Sequence, residues 1–313
     1  MAEMSYTKSR TQRIAEFVQY HKNGDGECNG ILLRAYADQE RMTERQRFDL
    51  AYFYSLCYCI PSAIIMYDAR EQIRSDPEQW AAEHKGEIIF QSDRRYVRCG
   101  DTFVKMLQQY SRKLDAKRFG EQTTRNGTVD FDLAFKTVSG WYFFGRFSCF
   151  LFVETYARLC GYKTTQGSIT WAEGDTATSG LLNVYGLDGA ADHFDKTGRL
   201  PPQLTQERMD KLLGHLRRAI RASGGETSIA EVETSLCAYR KFYKGTRYNG
   251  YYLDRQLEEL RHYASVGEYG PMVDKLYSLR KRLFSAKYLG EVGGWTGIRK
   301  QCKTLYKRTG EIM

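Results

Sequence analysis

Arg45 to Ile73 reads RQRFDLAYFYSLCYCIPSAIIMYDAREQI, with aromatic and aliphatic side chains at nearly every position of its middle. A segment that is apolar all round cannot lie on a surface as an amphipathic helix does, so other elements must surround it. The run therefore predicts a buried helix in a protein with a substantial core. Pro61 interrupts it: proline has no N–H to donate, and a helix passing through it is kinked or split.

The rest of the chain supports a mostly α-helical fold. Apolar residues recur at helical spacing in most segments, and clean alternation over five or more residues is rare. Val138–Cys160 reads as a second core helix ended by Gly161, and Ile88–Phe90 as a short strand followed by a polar turn and another helix. The 313 residues suffice for one large domain or two modest ones, and the 42% apolar and 14% aromatic content is that of an ordered globular chain. No proline-rich or Gly/Ser-rich linker marks a boundary. The N-terminus lacks the apolar region of a secretory signal, and charges interrupt every apolar stretch before it reaches membrane-spanning length, which points to a soluble intracellular protein with no membrane partner. Eight cysteines without a C-x-x-C pair read as reduced core thiols rather than disulfides or a zinc site.

The net charge of +9 lies wholly in the last third: residues 205–313 carry 21 Lys/Arg against 12 Asp/Glu, and the two signs balance before them. This suggests a division into a helical lobe 1–204 holding the chemistry and a basic helical lobe 205–313, or one continuous domain. Met209, Leu212, Leu213, Leu216 and Ile220 form an apolar stripe with Arg217, Arg218 and Arg221 around the remainder; Met272, Leu276, Leu279 and Leu283 repeat the design beside Arg280–Arg282. In Cys237–Leu260, Lys241, Lys244, Arg247 and Arg255 interleave with Tyr239, Phe242, Tyr243, Tyr248, Tyr251 and Tyr252. Basic side chains neutralise phosphates while aromatic faces stack on unpaired bases, so nucleic acid is the partner this pattern fits. A tyrosine-rich helix in a core explains part of it equally well.

Several chemistries are set aside by absence of their motifs: there is no H-E-x-x-H, no G-x-S-x-G and no G-x-G-x-x-G after a strand, and the five histidines are scattered. Gly140-Trp-Tyr-Phe-Phe-Gly145 has P-loop glycine spacing, yet Arg146 and Phe147 stand where Lys and Ser/Thr must follow, and the aromatic residues between look helical. Three constellations remain. Arg146 and Glu154 share a helix side and must pair or line a polar cavity, since burying either alone costs several kcal/mol, on the order of the usual penalty. Ser92-Asp93-Arg94-Arg95 offers two planar forks to a phosphate, or else an Asp-capped helix start. In WAEGDTATSGLLNVYG (171–186), Glu173 and Asp175 precede Thr176, Thr178 and Ser179, which suit helix capping and a helix start able to hold an anion.

Four segments taken in order, RFDLAYFYSLCYCIPSA, FQSDRRYV, GRFSCFLFVETY and GDTATSGLLNVYG, followed by RYNGYYLDR, resemble the phage thymine-hypermodification proteins. This is the α-glutamyl/putrescinyl-thymine pyrophosphorylase group, also described as amino acid:DNA transferases and similar to the helical region attached to 5-hydroxymethyluracil DNA kinases. The likeness spans residues 45–260. It implies an enzyme of the infected bacterial cytoplasm that replaces pyrophosphate on 5-(pyrophosphoryloxymethyl)uracil in double-stranded DNA with an amine from an amino acid or polyamine. Matched to residue types, Arg94, Arg95, Arg146 and the helix start with Thr176, Thr178 and Ser179 would meet the pyrophosphate charge. Asp175, then Glu173 or Asp93, would take the amine proton, with Glu154 a further candidate beside Arg146. A flipped nucleotide would stack on an aromatic such as Trp141 or Tyr251. The chemistry needs no redox cofactor; magnesium on the pyrophosphate is compatible with it but not required. A non-catalytic DNA-binding protein, or a helical glycosylase or lyase acting on a modified base, remains open as an alternative.

Overall fold

Thr43 starts the central helix with a reciprocal cap: its side chain accepts from the Gln46 backbone N–H, and the Gln46 side chain accepts from the Thr43 N–H at 2.8 Å. The helix runs from Glu44 to Cys57 and ends because Tyr58 turns left-handed (φ 55°). Pro61 sits in the first turn of the next helix, where its missing N–H is harmless, so the long apolar run is two helices rather than one kinked one. The computed structural model describes residues 9–23, 28–165, 171, 176–225, 229–245, 247, 250–284 and 289.

In chain order the helices are α1 (Arg10–Asn23), α2 (Cys28–Gln39), α3 (Glu44–Cys57), α4 (Ile60–Asp68), α5 (Arg70–Ser75), α6 (Pro77–His84), α7 (Thr102–Lys113), α8 (Ala116–Thr123), α9 (Phe131–Ser139), α10 (Arg146–Cys160), α11 (Thr176–Val184), α12 (Asp188–Thr197), α13 (Gln206–Ala222), α14 (Ile229–Tyr243), α15 (Tyr251–Ala264) and α16 (Gly270–Leu283). The fold is mostly α, as expected. Three short strands, β1 (Thr124–Arg125), β2 (Thr128–Asp130) and β3 (Lys163–Thr165), form one small sheet. β1 and β2 pair antiparallel with Thr124 opposite Val129, joined by Asn126 and Gly127, both left-handed as a two-residue hairpin requires. β3 adds parallel to β2, Val129 facing Thr164. No helix among the described residues is long and apolar enough to cross a membrane.

Contacts divide the chain into two units. One, here the aromatic unit, comprises 29–166 and 255–283; the other, the network unit, comprises 1–28, 167–254 and 284–313. Residues before and after 204 share the network unit, so the contacts draw no boundary there. Its core joins Ile14 and Val18 of α1, Leu181 and Leu182 of α11, Met209, Leu213, Leu216 and Ile220 of α13, and Leu236 and Tyr239 of α14. The stripe on α13 thus faces inward as its spacing predicts. α11 lies so close to α14 that a Cβ on Gly180 would stand 2.2 Å from the Leu236 carbonyl oxygen, which only glycine accommodates.

The aromatic unit is built around Phe48 and Tyr52 of α3, Phe119 of α8, Trp141, Phe144, and Phe152 and Tyr156 of α10. Phe48 meets Phe152 edge-on at 5.3 Å and Trp141 meets Phe152 at 4.8 Å. Each such ring contributes roughly 1.5–3 kcal/mol by burial, and each favourable pair about 0.5–1.5 more.

Three local expectations differ. Ile88–Phe90 forms no strand: the Ile89 N–H donates instead to the Ser62 and Tyr263 hydroxyls (3.0 and 3.3 Å), so side chains replace a ladder. Val138–Cys160 is not one helix, because α9 ends at Ser139 and α10 begins at Arg146; the expected Gly161 cap is present, with φ 72°. Arg280, read as part of a solvated basic face, is buried and donates to Gln256 at 3.0 Å.

Candidate active site

The break between α9 and α10 shapes the site. The Trp141 carbonyl accepts from the Phe144 N–H at 3.2 Å, closing a turn over Trp141–Phe144, and Gly145 then serves as the N-cap of α10 without a side-chain cap. The Cys149 N–H is the first to bond back, to Gly145 at 3.0 Å, so the N–H groups of residues 146–148 lie ahead of the helical ladder at its positive end. Beside this start lies a cleft of about 560 Å³ lined by Arg94, Tyr96, Val97, Trp141, Phe143, Phe144, Gly145, Arg146, Phe147 and Ser148.

Arg94 reaches the cleft from the 3-10 helix Ser92–Arg98. Only 6% exposed, its guanidinium donates to the Leu56 carbonyl (3.2 Å) and to the Ser148 hydroxyl. Both acceptors are uncharged, and they set the direction of the fork. Arg146, the first residue of α10, is half-buried on the same cleft. The cleft is also lined by Tyr96 (59% exposed), Phe143 (44%) and Phe147 (41%); with Tyr142 (42%), next to Phe143 in the chain, these are most of the large exposed apolar side chains among the described residues. Cationic forks, a helix start and exposed rings together suit a ligand with phosphate at one end and an aromatic ring at the other.

Residues 45–248 match the family model described as amino acid:DNA transferase. The chain belongs to the amino acid:DNA transferase family. The resemblance read from the segments is thereby borne out, and the family name denotes a transferase acting on DNA. No curated protein sequence matches the chain. The cleft's lining residues all lie within the span matched to the amino acid:DNA transferase model.

The structure brings Arg94 and Arg146 together with Trp141, which packs its ring into the aromatic core beneath the cleft. Glu154 stands eight residues up α10, about 12 Å along its axis, half-buried and away from the cleft lining. The side chains of Asp93 and Arg95 lie outside the described residues, although their backbone belongs to the 3-10 helix carrying Arg94. Glu173 and Asp175 also lie outside them.

The other candidates belong to the network unit or to buried positions. Thr176 is half-buried at the start of α11. Thr178 and Ser179 are fully buried: the first donates to the Trp171 carbonyl at 3.0 Å, the second to Asp195. Asp195 also receives Arg240 at 2.7 Å and Lys244. Burial opposes ionisation of Asp195, but Lys244, Ser179 and Arg240 outweigh it and bring its carboxyl down to about 2. Arg240 donates further to Asn183 and Asp192, and Asp188 gathers Arg10, Asn183 and Tyr243. Arg218 and Arg221 are exposed on α13, while Arg217 and Lys241 are half-buried. Arg247 lies over the rings of Tyr251 and Tyr252 at 4.8 and 4.7 Å. Arg255, expected to face DNA, is buried in the aromatic unit: it lies over the Tyr58 ring at 4.4 Å and donates to the Tyr58 carbonyl (3.0 Å) and Glu259 (3.3 Å).

Sequence reasoning missed Ser148, Tyr96, Phe143 and Phe147 as parts of the site. The signal was the glycine pair at 140 and 145, which brackets a turn rather than a helix interior. Of the thiols read as core, Cys28, Cys57, Cys59 and Cys149 are buried, Cys160 and Cys237 are half-buried and Cys99 is exposed, and burial pushes Cys149 up to about 11.

Proposed function

We propose that the protein replaces the pyrophosphate of 5-(pyrophosphoryloxymethyl)uracil in DNA with the amine of an amino acid or polyamine. The bond from the exocyclic carbon to oxygen breaks, pyrophosphate leaves with the electron pair, a carbon–nitrogen bond forms, and the amine gives up a proton. The observation that carries this reading is the cleft, where two guanidiniums and the start of α10 share a wall with aromatic rings.

Arg94 and Arg146 stabilise the departing pyrophosphate, with the leading N–H groups of α10 adding fixed dipoles where charge grows. Preorganisation matters here: Arg94 is already held by Leu56 and Ser148, so little reorganisation accompanies the reaction. Trp141 supports the base of a nucleotide swung out of the duplex. A carboxylate takes the amine proton, Asp175 first and Glu173 or Asp93 next, and single alanine substitutions separate the three by which of them abolishes transfer. Arg217, Arg218 and Arg221 bind the DNA backbone through phosphate contacts.

The test is mass spectrometry of nucleosides from pyrophosphorylated DNA incubated with the protein and a panel of amines. One new amine-bearing nucleoside, lost in Arg146→Ala while DNA binding persists, is expected. DNA retention with no new nucleoside would leave a binding protein, and abasic sites would point to a glycosylase; either result sinks the transfer reading.

A further inference from the structure

The Trp141–Phe144 turn has a feature that neither core packing nor phosphate binding accounts for. Phe143 occupies its third position with φ 61°, a left-handed conformation that turn chemistry ordinarily gives to Gly or Asn because a Cβ is crowded there. Burial does not compensate, since the ring is 44% exposed, and the preceding Tyr142 is 42% exposed. Non-glycine residues held in such conformations cluster at functional sites.

The base of this turn is rigid. Trp141 packs edge-on against Phe144 and Phe152 at 5.2 and 4.8 Å. The buried Gln109 side chain accepts from the Tyr142 N–H and donates to the Tyr52 hydroxyl at 3.4 Å. Tyr52 in turn donates to the Met106 carbonyl at 2.8 Å. Phe147 stands beside the turn, its ring edge-on to Tyr58 at 5.5 Å and still 41% exposed. Aromatic side chains are thus presented from an anchored platform at the mouth of a cleft lined by Arg94 and Arg146.

We propose that this turn is a DNA wedge, with Phe143, flanked by Tyr142 and Phe147, entering the base stack at the gap left when the target nucleotide swings into the cleft. The inference rests on the transferase reading of the cleft, and adds how the duplex is opened. A vacated position in a duplex is a flat slot between two base faces, which an aromatic ring fills by stacking. The cleft beside it carries the arginines assigned to the pyrophosphate of the swung-out nucleotide, so charge and shape favour DNA over an apolar protein partner.

The test uses the full chain and Phe143→Gly, because glycine adopts the observed φ without strain and a thermal melt verifies that the fold is kept. Duplex DNA with 2-aminopurine beside a thymine reports unstacking, and pyrophosphorylated duplex and single-stranded DNA report transfer. The wild-type protein and Phe143→Tyr are expected to raise the fluorescence severalfold, and Phe143→Gly to lose at least fivefold of that rise. Duplex transfer is expected to fall at least ten times more than single-strand transfer. An unchanged fluorescence response, or equal loss on both substrates, overturns the wedge; so does self-association abolished by Phe143→Gly without a change in the DNA signal. If the wild-type protein makes no new nucleoside yet unstacking depends on Phe143, the transferase reading fails and the wedge stands.

Discussion

Arg240 in the network unit and Arg94 in the aromatic unit are both buried guanidiniums, 2% and 6% exposed, set in different surroundings: one in a carboxylate network, the other on the wall of a cleft. Carboxylates answer Arg240: Asp192 at 2.8 Å and Asp195 at 2.7 Å, with Asn183 filling another edge of the fork. Arg94 is oriented by a carbonyl and a hydroxyl. Carboxylates pair with Arg240 and make a structural knot between α12 and α14, whereas the carbonyl and the hydroxyl set the direction of the Arg94 fork beside the cleft. The same residue type therefore holds helices together in one unit and lines the cleft proposed as the site in the other.

The largest effect should come from breaking the knot. Arg240→Ala removes a buried guanidinium that donates to Asn183, Asp192 and Asp195 together, and is expected to destabilise the fold by about 3–5 kcal/mol, read as a fall in melting temperature. Transfer per folded molecule should be kept, and a loss of transfer without a loss of stability would erase the distinction between the units. Arg146→Ala should do the opposite, lowering transfer about 10²–10³-fold, equivalent to about 2.7–4 kcal/mol, with little change in melting.

Smaller effects sharpen the contrast within the network unit. Gly180→Ala must move α11 away from the Leu236 carbonyl, and overpacking of this kind costs about 1–3 kcal/mol in urea unfolding. Acid probes Asp195. Its folded value is depressed to about 2 against about 3.9 in an unfolded chain, so its contribution, about 2 kcal/mol, is fully present above about pH 4 and lost as pH falls through about 2. Asp195→Asn should flatten the stability profile across that window; an unaltered slope would show that Asp195 is not what acid attacks.

Much of the fold was legible because its causes are local. The split at Pro61, the inward stripe of α13 and the Gly161 cap each follow from a few neighbouring residues. The hairpin at Asn126-Gly127 was equally local, yet its strands, two and three residues long, are too short for alternation to announce them. The turn at Trp141–Phe144 was obscured because aromatic residues are not helix breakers; packing against Phe48, Tyr52 and Phe152 stabilises the break. Exposure of Arg255 and Arg280 was misjudged since burying a charge depends on partners from distant segments, Tyr58 and Glu259 for one and Gln256 for the other.

The sequence by itself determined a helical protein, its family, and a short set of arginines and acids worth testing, since periodicity, capping chemistry and segment order are properties of the chain. Only the tertiary structure decided which of them meet. The Arg94 guanidinium and the Ser148 hydroxyl are 54 residues apart in sequence and bonded in space. That meeting depends on where α3, the 3-10 helix and α10 pack around a shared aromatic core, and such packing is set by the shapes of side chains drawn from the whole unit, which no local pattern encodes.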